Sequence, residues 1–568
     1  MDPNNTAKKE INSSSASNDL EDGNNSPPGL SKRKLVLVLI ALCLAVFLAA
    51  IDAVIITPAM PTIAKDLNAS DAGFAWIGSA YLLALSATAP FWSKVSDIFG
   101  RKPILIIANI IFLIGSLVAA LSNSLPMLIA ARAVQGMGGG GLITLVEISV
   151  GDMFSQRERG LFYGIYGAVW AVATAIGPII GGAFTEYATW RWCFWFNLPF
   201  DGLSLIITIL FLHIHNPKTP LLKGLQAIDW LGSSLIVGAT LILLIGLESG
   251  GTSAPWTSAL VICLIIFGLI TYVLFAIWQR FARYPIIPRR IFATLPRICT
   301  FAVVFSHGAG FIAPVFFLPL YFQSVLGAAP LQSGIWMLAL AVSFSLSGII
   351  MGIFIQRTGH YIWIIRASMG LFTLALGLMI TFDEERNWGK IICFQVLLAA
   401  GIGANMQTLV IAIQALVDVE DIGVATGTLN FIRNLATGVS VVVGQVILQG
   451  VLGGHGDELR QAGIDENVVD RLVNGGAIAA STSGGGLMKD WTEAQGRVYR
   501  ASVADGLSKM WIFYTALVGM GFVLTFGITK TELRTEHEVT RTGLKAEEAK
   551  RMKYQAGLAE RAREEETN

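Results

Sequence analysis

Two charged residues stand inside long apolar runs. Asp52 lies in "AAIDAVIITPAMPTI" and is the one acid between Leu35 and Ile63, and Arg132 lies in "LIAARAVQGMGGGGL". An ionised group in hydrocarbon costs several kcal/mol unless a counter-charge or water meets it, so each is expected to need the other or a wet chamber. Burial disfavours an ionised carboxyl and a nearby cation favours it. A carboxyl alternating between water and Arg132 would therefore take up and release protons. The alternative is a structural aspartate that caps or kinks its helix.

Other polar groups in apolar runs are weaker candidates. Glu147 reads as a membrane-edge acid facing "GDMFSQRERG", with a second coupling site or a cytosolic gate role as the alternatives. His307 titrates in a useful pH range, or is a satisfied helix histidine. Gln135, Gln323, Asn405, Gln407 and Gln414 are candidates for lining a cavity, with interhelical hydrogen bonds as the competing reading. His213 and His215 form the only close histidine pair, without obvious ligands. "GMGGGG" lacks the Lys-Ser/Thr of a phosphate-binding loop. The five cysteines are scattered, nearly all of them inside apolar runs. No enzyme, cofactor or metal site is expected.

The elements that must hold these groups follow from composition. Of 568 residues 54% are hydrophobic and 14% charged, far more apolar surface than a water-facing exterior accommodates. A net charge of +1 gives no field for nucleic acid. Runs of about 20 residues, enough to cross a bilayer core, recur fourteen times, which places both tails on one side. The short loops on the tail side carry fourteen Lys and Arg against four opposite, so the tails are expected in the cytosol.

Landmarks recur at an offset of about 260 residues: Gly100 with Gly359, Pro58 with Pro319, and Gly136 and Gly138 with Gly401 and Gly403. The expected fold is an all-α membrane protein of 14 transmembrane helices, in two pseudo-symmetric six-helix bundles plus two inserted helices. The expected units are a disordered tail at 1–34, a first bundle at 35–213, a linker with the extra helices at 214–296, and a second bundle at 297–529 that includes an extracellular loop at 450–508. A cytosolic tail at 530–568 follows, and its alternating charges read as a solvated helix. "NAS" at Asn68 is a glycosylation sequon close to the bilayer, and "WRWCFWFNLP" reads as an outer-leaflet anchor.

Four stretches carry a family resemblance. "SKVSDIFGRKPIL" resembles the loop signature G-x-L-x-D-x-x-G-R-K of the major facilitator superfamily at Asp97, Gly100, Arg101 and Lys102, with Ser93 and Val95 in place of the glycine and leucine. "RAVQG" resembles its R-x-x-Q-G motif at Arg132, Gln135 and Gly136. "GAVWAVATAIGPIIGGAF" is similar to its antiporter signature at Gly167, Gly177, Pro178, Gly181 and Gly182. Around Asp52 the chain resembles L-D-x-T-I-V-N-x-A-L-P of the fourteen-span drug:proton antiporters, with Val54 and Thr57 replacing the usual Thr and Asn.

The resemblance implies a proton-coupled efflux pump for small organic compounds, of the fungal toxin and multidrug type, working by alternating access. It implies proton coupling at Asp52 and Arg132, a loop latch at 97–102 and a helix bend at 167–182. The expected partners are a small-molecule cargo, protons and the lipid bilayer, with the chain monomeric in the cell membrane or alternatively the vacuolar membrane. A transporter of basic amino acids or siderophores is the second reading, and a membrane enzyme or non-transporting sensor the third.

Overall fold

The computed structural model describes residues 32–69, 71–212, 214, 217, 219–250, 254–471, 491–536 and 542–552. Most of the N-terminal tail, the His213/His215 pair, Lys218, the middle of the long loop (472–490) and the last residues (553–568) lie outside these. In hydrocarbon each backbone N–H and C=O must be paired within its own segment, and the apolar runs accordingly become helices. Among the described residues the β pairing is one isolated bridge, Gly250 to Ala254.

The main helices are α1 (Lys32–Val54), α2 (Asp71–Phe99), α3 (Arg101–Ala120), α4 (Leu125–Met153), α5 (Arg159–Tyr187), α6 (Asn197–Phe211), α7 (Trp230–Ser249), α8 (Ala259–Trp278), α9 (Leu295–Leu320), α10 (Leu338–Thr358), α11 (Tyr361–Met379), α12 (Trp388–Leu416), α13 (Ile422–Gly454) and α14 (Glu493–Leu524). Among the described residues, thirteen spans are long and apolar enough to cross a bilayer. α2, over the second expected span, has 29 residues but is not one of the thirteen, so the count of fourteen rests on that helix. α8 exposes Ile266, Phe267, Ile270 and Val273, as a lipid-facing helix must.

Packing repeats helix by helix. In the first set α2 and α3 lie on α4, α5 and α6 on α1, and α3 on α6; in the second α10 and α11 lie on α12, α13 and α14 on α9, and α11 on α14. α7 and α8 pack on each other, and α7 also touches α2 and α13. The sets meet along α2–α13 and α5–α10, two seams that interchange under the same pairing.

Gly100 at φ 96° and Gly359 at φ 72° end α2 and α10, a backbone region that favours glycine. Within α4 and α12, a Cβ on Gly138 would strike the Phe112 backbone of α3, and one on Gly401 the Phe372 backbone of α11. Gly140 and Gly403 stand likewise against Leu85 of α2 and Phe344 of α10. The equivalence therefore pairs Gly138 with Gly401 and Gly140 with Gly403, two residues on from the pairing read in the sequence.

One end of the molecule is sealed. On α5–α10, Gly160 and Gly164 face Gly352 and Gly348, so closely that a Cβ on Gly160 would lie 2.7 Å from the Gly352 carbonyl oxygen. Such small-residue seams let helix backbones touch. On α2–α13, Ser93 Oγ donates to the Gly423 carbonyl at 2.7 Å. The serine that replaces the signature glycine thus keeps close packing and adds a bond between the two sets.

The C-terminal segment crosses this sealed end. Arg534 N donates to Gln156 Oε1 at 3.1 Å, Gly543 N donates to the Asp97 carbonyl at 2.7 Å, and residues 544–552 are helical. The expectation of a solvated helix is corrected over this stretch: Glu547 is buried between Lys94 and Lys550. Burial alone would raise its carboxyl, but Lys94 and then Lys550 hold it well below the usual carboxylate range.

Two outcomes follow for this end. Gly352→Leu overpacks the α5–α10 seam by about 1–3 kcal/mol, so a cysteine at Ser93, buried at the other seam, should react with maleimide about tenfold faster or more. Glu547→Ala should speed tryptic cleavage at Lys545. In the native chain the strap's ionic contribution is complete above the carboxylate's unfolded value and is lost as pH falls through the lower folded one, so cleavage within residues 544–552 by pepsin, which works in acid, should accelerate only in strong acid.

Candidate functional site

Asp52 and Arg132 meet at the centre of the first helix set. α1 delivers Asp52 at its last turn, just before Pro58 and Pro61 break the run into Thr57–Ala59 and Met60–Asp66, since proline lacks the N–H a continuous helix needs. α4 delivers Arg132, whose Nη1 pairs with Asp52 Oδ2. The guanidinium also donates from Nη1 to Gln135 Oε1 at 3.1 Å, from Nη2 to the Asp52 carbonyl at 3.2 Å and from Nε to the Ile77 carbonyl at 3.3 Å. It lies 4.5 Å over the Tyr81 ring, a favourable placement for a delocalised cation.

The second carboxylate oxygen is equally engaged. Asp52 Oδ1 accepts from Asn197 Nδ2 at 2.7 Å and from Gln135 Nε2 at 3.2 Å, and Gln135 Nε2 also reaches Ser116 Oγ at 2.8 Å. Asp52, Arg132, Gln135 and Asn197 are each 0% exposed. A buried pair with its remaining donors and acceptors satisfied offsets its desolvation cost. Every partner here belongs to α1, α2, α3, α4 or α6.

The latch residues occupy the sealed end. Arg101 pairs with Asp97 one turn before it and donates from Nε to Asp152 Oδ2 at 2.8 Å, while Lys102 donates to the Ile209 carbonyl at 2.7 Å. Gly423 of α13 lies so close that a Cβ there would be 2.6 Å from Asp97 Oδ1. Of the α5 residues, Gly177 and Gly181 press on Val54 at the end of α1 and on Ile55 just after it, Gly182 lies beside Pro58, Gly167 has open space, and Pro178 sits inside the helix.

The polar candidates fall in different places. Gln414 joins the sealed end: Arg159 Nη1 donates to its Oε1 at 2.9 Å, and its Nε2 donates to Tyr163 Oη at 3.0 Å. Gln407 and Asn405 are buried on α12. His307 Nε2 lies 3.2 Å from the Ile402 carbonyl, its ring edge-on to Phe372. Gln323 is half-buried in the π-helical turn Tyr321–Val325 that follows α9.

Glu147 departs from its membrane-edge reading. It is fully buried in α4 and accepts from Asn430 Nδ2 of α13 at 2.8 Å, because α4 continues to Met153 and carries it into the seam between the sets. Arg433 Nη1 lies 3.9 Å from its other oxygen. Sequence reading also passed over Asn197, Asp201 and Arg433. The signal for two of them was available: Arg433 is the single charge between Val424 and Gln449, and Asp201 the single acid between Cys193 and Leu212. With its amide oriented to donate, Asn109 Nδ2 is 3.2 Å from one Asp201 oxygen and closer to the other.

Comparison with known proteins gives concordant results. The family profile described as Major Facilitator Superfamily matches residues 42–441. The efflux pump dotC of Dothistroma septosporum is 46% identical over 514 residues, covering 90% of this chain and 87% of its own. The MFS-type transporter ppz2 of Metarhizium majus is 43% identical over 534 residues, covering 94% and 91%. Among solved structures, a human organic anion transporter superposes with a TM-score of 0.57 at 15% identity, over 87% of this chain and 100% of that one, a likeness of fold.

The geometry makes the central pair interdependent. Asp52→Leu strands a buried guanidinium, at a cost of about 3–5 kcal/mol. Pairing it with Arg132→Met should recover much of the melting temperature lost in detergent, so the double variant should melt above the single one.

Proposed function

The chain belongs to the major facilitator superfamily, and from that premise we propose that it exports small organic compounds by alternating access, with protons moving the opposite way. Efflux rests on relatives named as efflux pumps and transporters that match this chain along almost its whole length. Proton coupling rests on one observation, the fully buried Asp52–Arg132 pair. A carboxyl held only by a cation and two amides exchanges a proton once water reaches it.

The bundles at 35–213 and 297–529 are the moving bodies, joined through the linker at 214–296. Asp97, Gly100, Arg101 and Lys102 latch the sealed end, and the Gly167–Gly182 segment with Pro178 gives α5 its freedom to bend. The excess of Lys and Arg on the tail side supports a cytosolic position for the termini, and with them the sealed end. The state described is then closed to the cytosol and suited to release cargo outward. The protein works as a monomer in the cell membrane.

The cargo class is tested by comparing metabolites retained in cells with and without the gene. A small organic compound should accumulate inside the deletion strain. In inverted vesicles, uptake of that compound should follow an imposed pH gradient, and Asp52→Asn should abolish that dependence; a variant coupled as tightly as the native protein removes the role assigned to Asp52.

A further inference from the structure

Asp52 has a limitation as a coupling residue. All the partners described for it travel in one bundle, so parting the bundles leaves its contacts in place. Glu147 is placed differently. It lies fifteen residues beyond Arg132 on the same helix, about 22 Å along its axis, at the seam rather than inside the bundle.

Its side chain is held from the other bundle. Asn430 donates to Oε2 at 2.8 Å and Arg433 Nη1 stands 3.9 Å from Oε1, both residues being on one face of α13. Arg433 is anchored on its own side, with Nη2 donating to the Met406 carbonyl of α12 at 2.8 Å. Tyr166 of α5 and Gln407 of α12 face the same carboxyl, Tyr163 donates to the Glu147 backbone carbonyl at 2.9 Å, and His307 of α9 lies within electrostatic reach of Arg433. These are the polar and titratable groups that α5, α9, α12 and α13 bring to the site.

We propose that Glu147 is a second proton-exchanging residue of the transport cycle, and that its pairing with Arg433 ties proton occupancy to closure of the sealed end. The proposal rests on the reading of the protein as a proton-coupled exporter. Parting of the bundles removes Asn430 and Arg433 together, and a carboxylate deprived of both must gain water or a proton. The exchange balances simply: the carboxylate takes a proton from hydronium, leaving a neutral acid and a water molecule, and returns it to water later in the cycle. The neutral acid no longer attracts Arg433, so the seam loosens. By linkage, closure expels the proton to the same degree that protonation favours opening. In the proposed orientation this is the sense an antiporter needs, since a proton entering from outside releases the cytosolic end.

The test reads the seam without needing the cargo. In full-length protein with its five native cysteines replaced by alanine, a cysteine at Ile355, buried against Gly160, reports opening by its reaction with maleimide in detergent. With every rate expressed relative to that of a free thiol at the same pH, since only the thiolate reacts, lowering the pH from about 8 to about 5 should raise the labelling rate about tenfold when Glu147 is present. Glu147→Gln should label fast at both values, Glu147→Asp should keep the pH response, and Asn430→Ala should move its midpoint. A pH response that survives in Glu147→Gln overturns this inference alone. No pH response in the parent, together with no uptake of any accumulated compound under a pH gradient, overturns the proton-coupled reading itself. If Glu147→Gln does not fold, an unshifted midpoint in Asn430→Ala overturns the inference.

Discussion

A charge inside a bilayer has to be matched, and the position of its match decides what it can do. When both partners ride on one rigid set of helices, the pair is a fixture of that set, as with Asp52 and Arg132, which between them contact Ile77, Tyr81, Gln135 and Asn197, four residues of the first helix set. When the partners ride on different sets, the pair reports whether the sets are together. Glu147 with Asn430 and Arg433 is of that second kind, as is Arg159 with Gln414. The bilayer makes both kinds matter, since it offers no water to replace a lost partner.

Such matching across a seam requires backbones to come close, and glycine supplies the room. Gly160, Gly164, Gly348 and Gly352 allow α5 and α10 to touch, and Gly423 and Gly427 make space for Ser93, Asp97 and Arg101. Without that approach, Arg159 could not reach Gln414, nor Ser93 the Gly423 carbonyl. The C-terminal segment adds a strap on the same end, with Glu547 clasped by two lysines. Packing, buried polar bonds and buried ion pairs thus reinforce one closed arrangement.

Much of this was legible in the sequence, and the boundary is physical. A lone acid and a lone base in apolar runs have few alternatives to each other, so Asp52 and Arg132 could be matched across 80 residues. The repeat was visible through glycines and prolines, though its register in α4 and α12 came out two residues short, because glycine-rich helices offer several near-equivalent alignments. Glu147 was misplaced because its neighbours Gly151 and Asp152 look like a loop, whereas α4 runs on to Met153. Nothing local marks Asn430 as its partner, 283 residues away. The burial of Glu547 was equally hidden, since an alternating charged helix looks the same in sequence whether water or Lys94 faces it.

Under the proposed coupling, Asp52 of α1 and Glu147 of α4 divide the demands of transport in a way one acid could not. A coupling site must hold its proton through the conformational change and must also differ between the two end states. Asp52, enclosed by partners that move with it, meets the first demand poorly tied to the second. Glu147 meets the second, because its counter-charges leave when the seam opens. Because α4 carries both Glu147 and the Arg132 that holds Asp52, a shift of α4 relative to α13 changes the surroundings of Glu147 while Arg132 keeps its grip on Asp52. Proton movement and bundle movement are then linked through one rigid element rather than through a chain of small displacements.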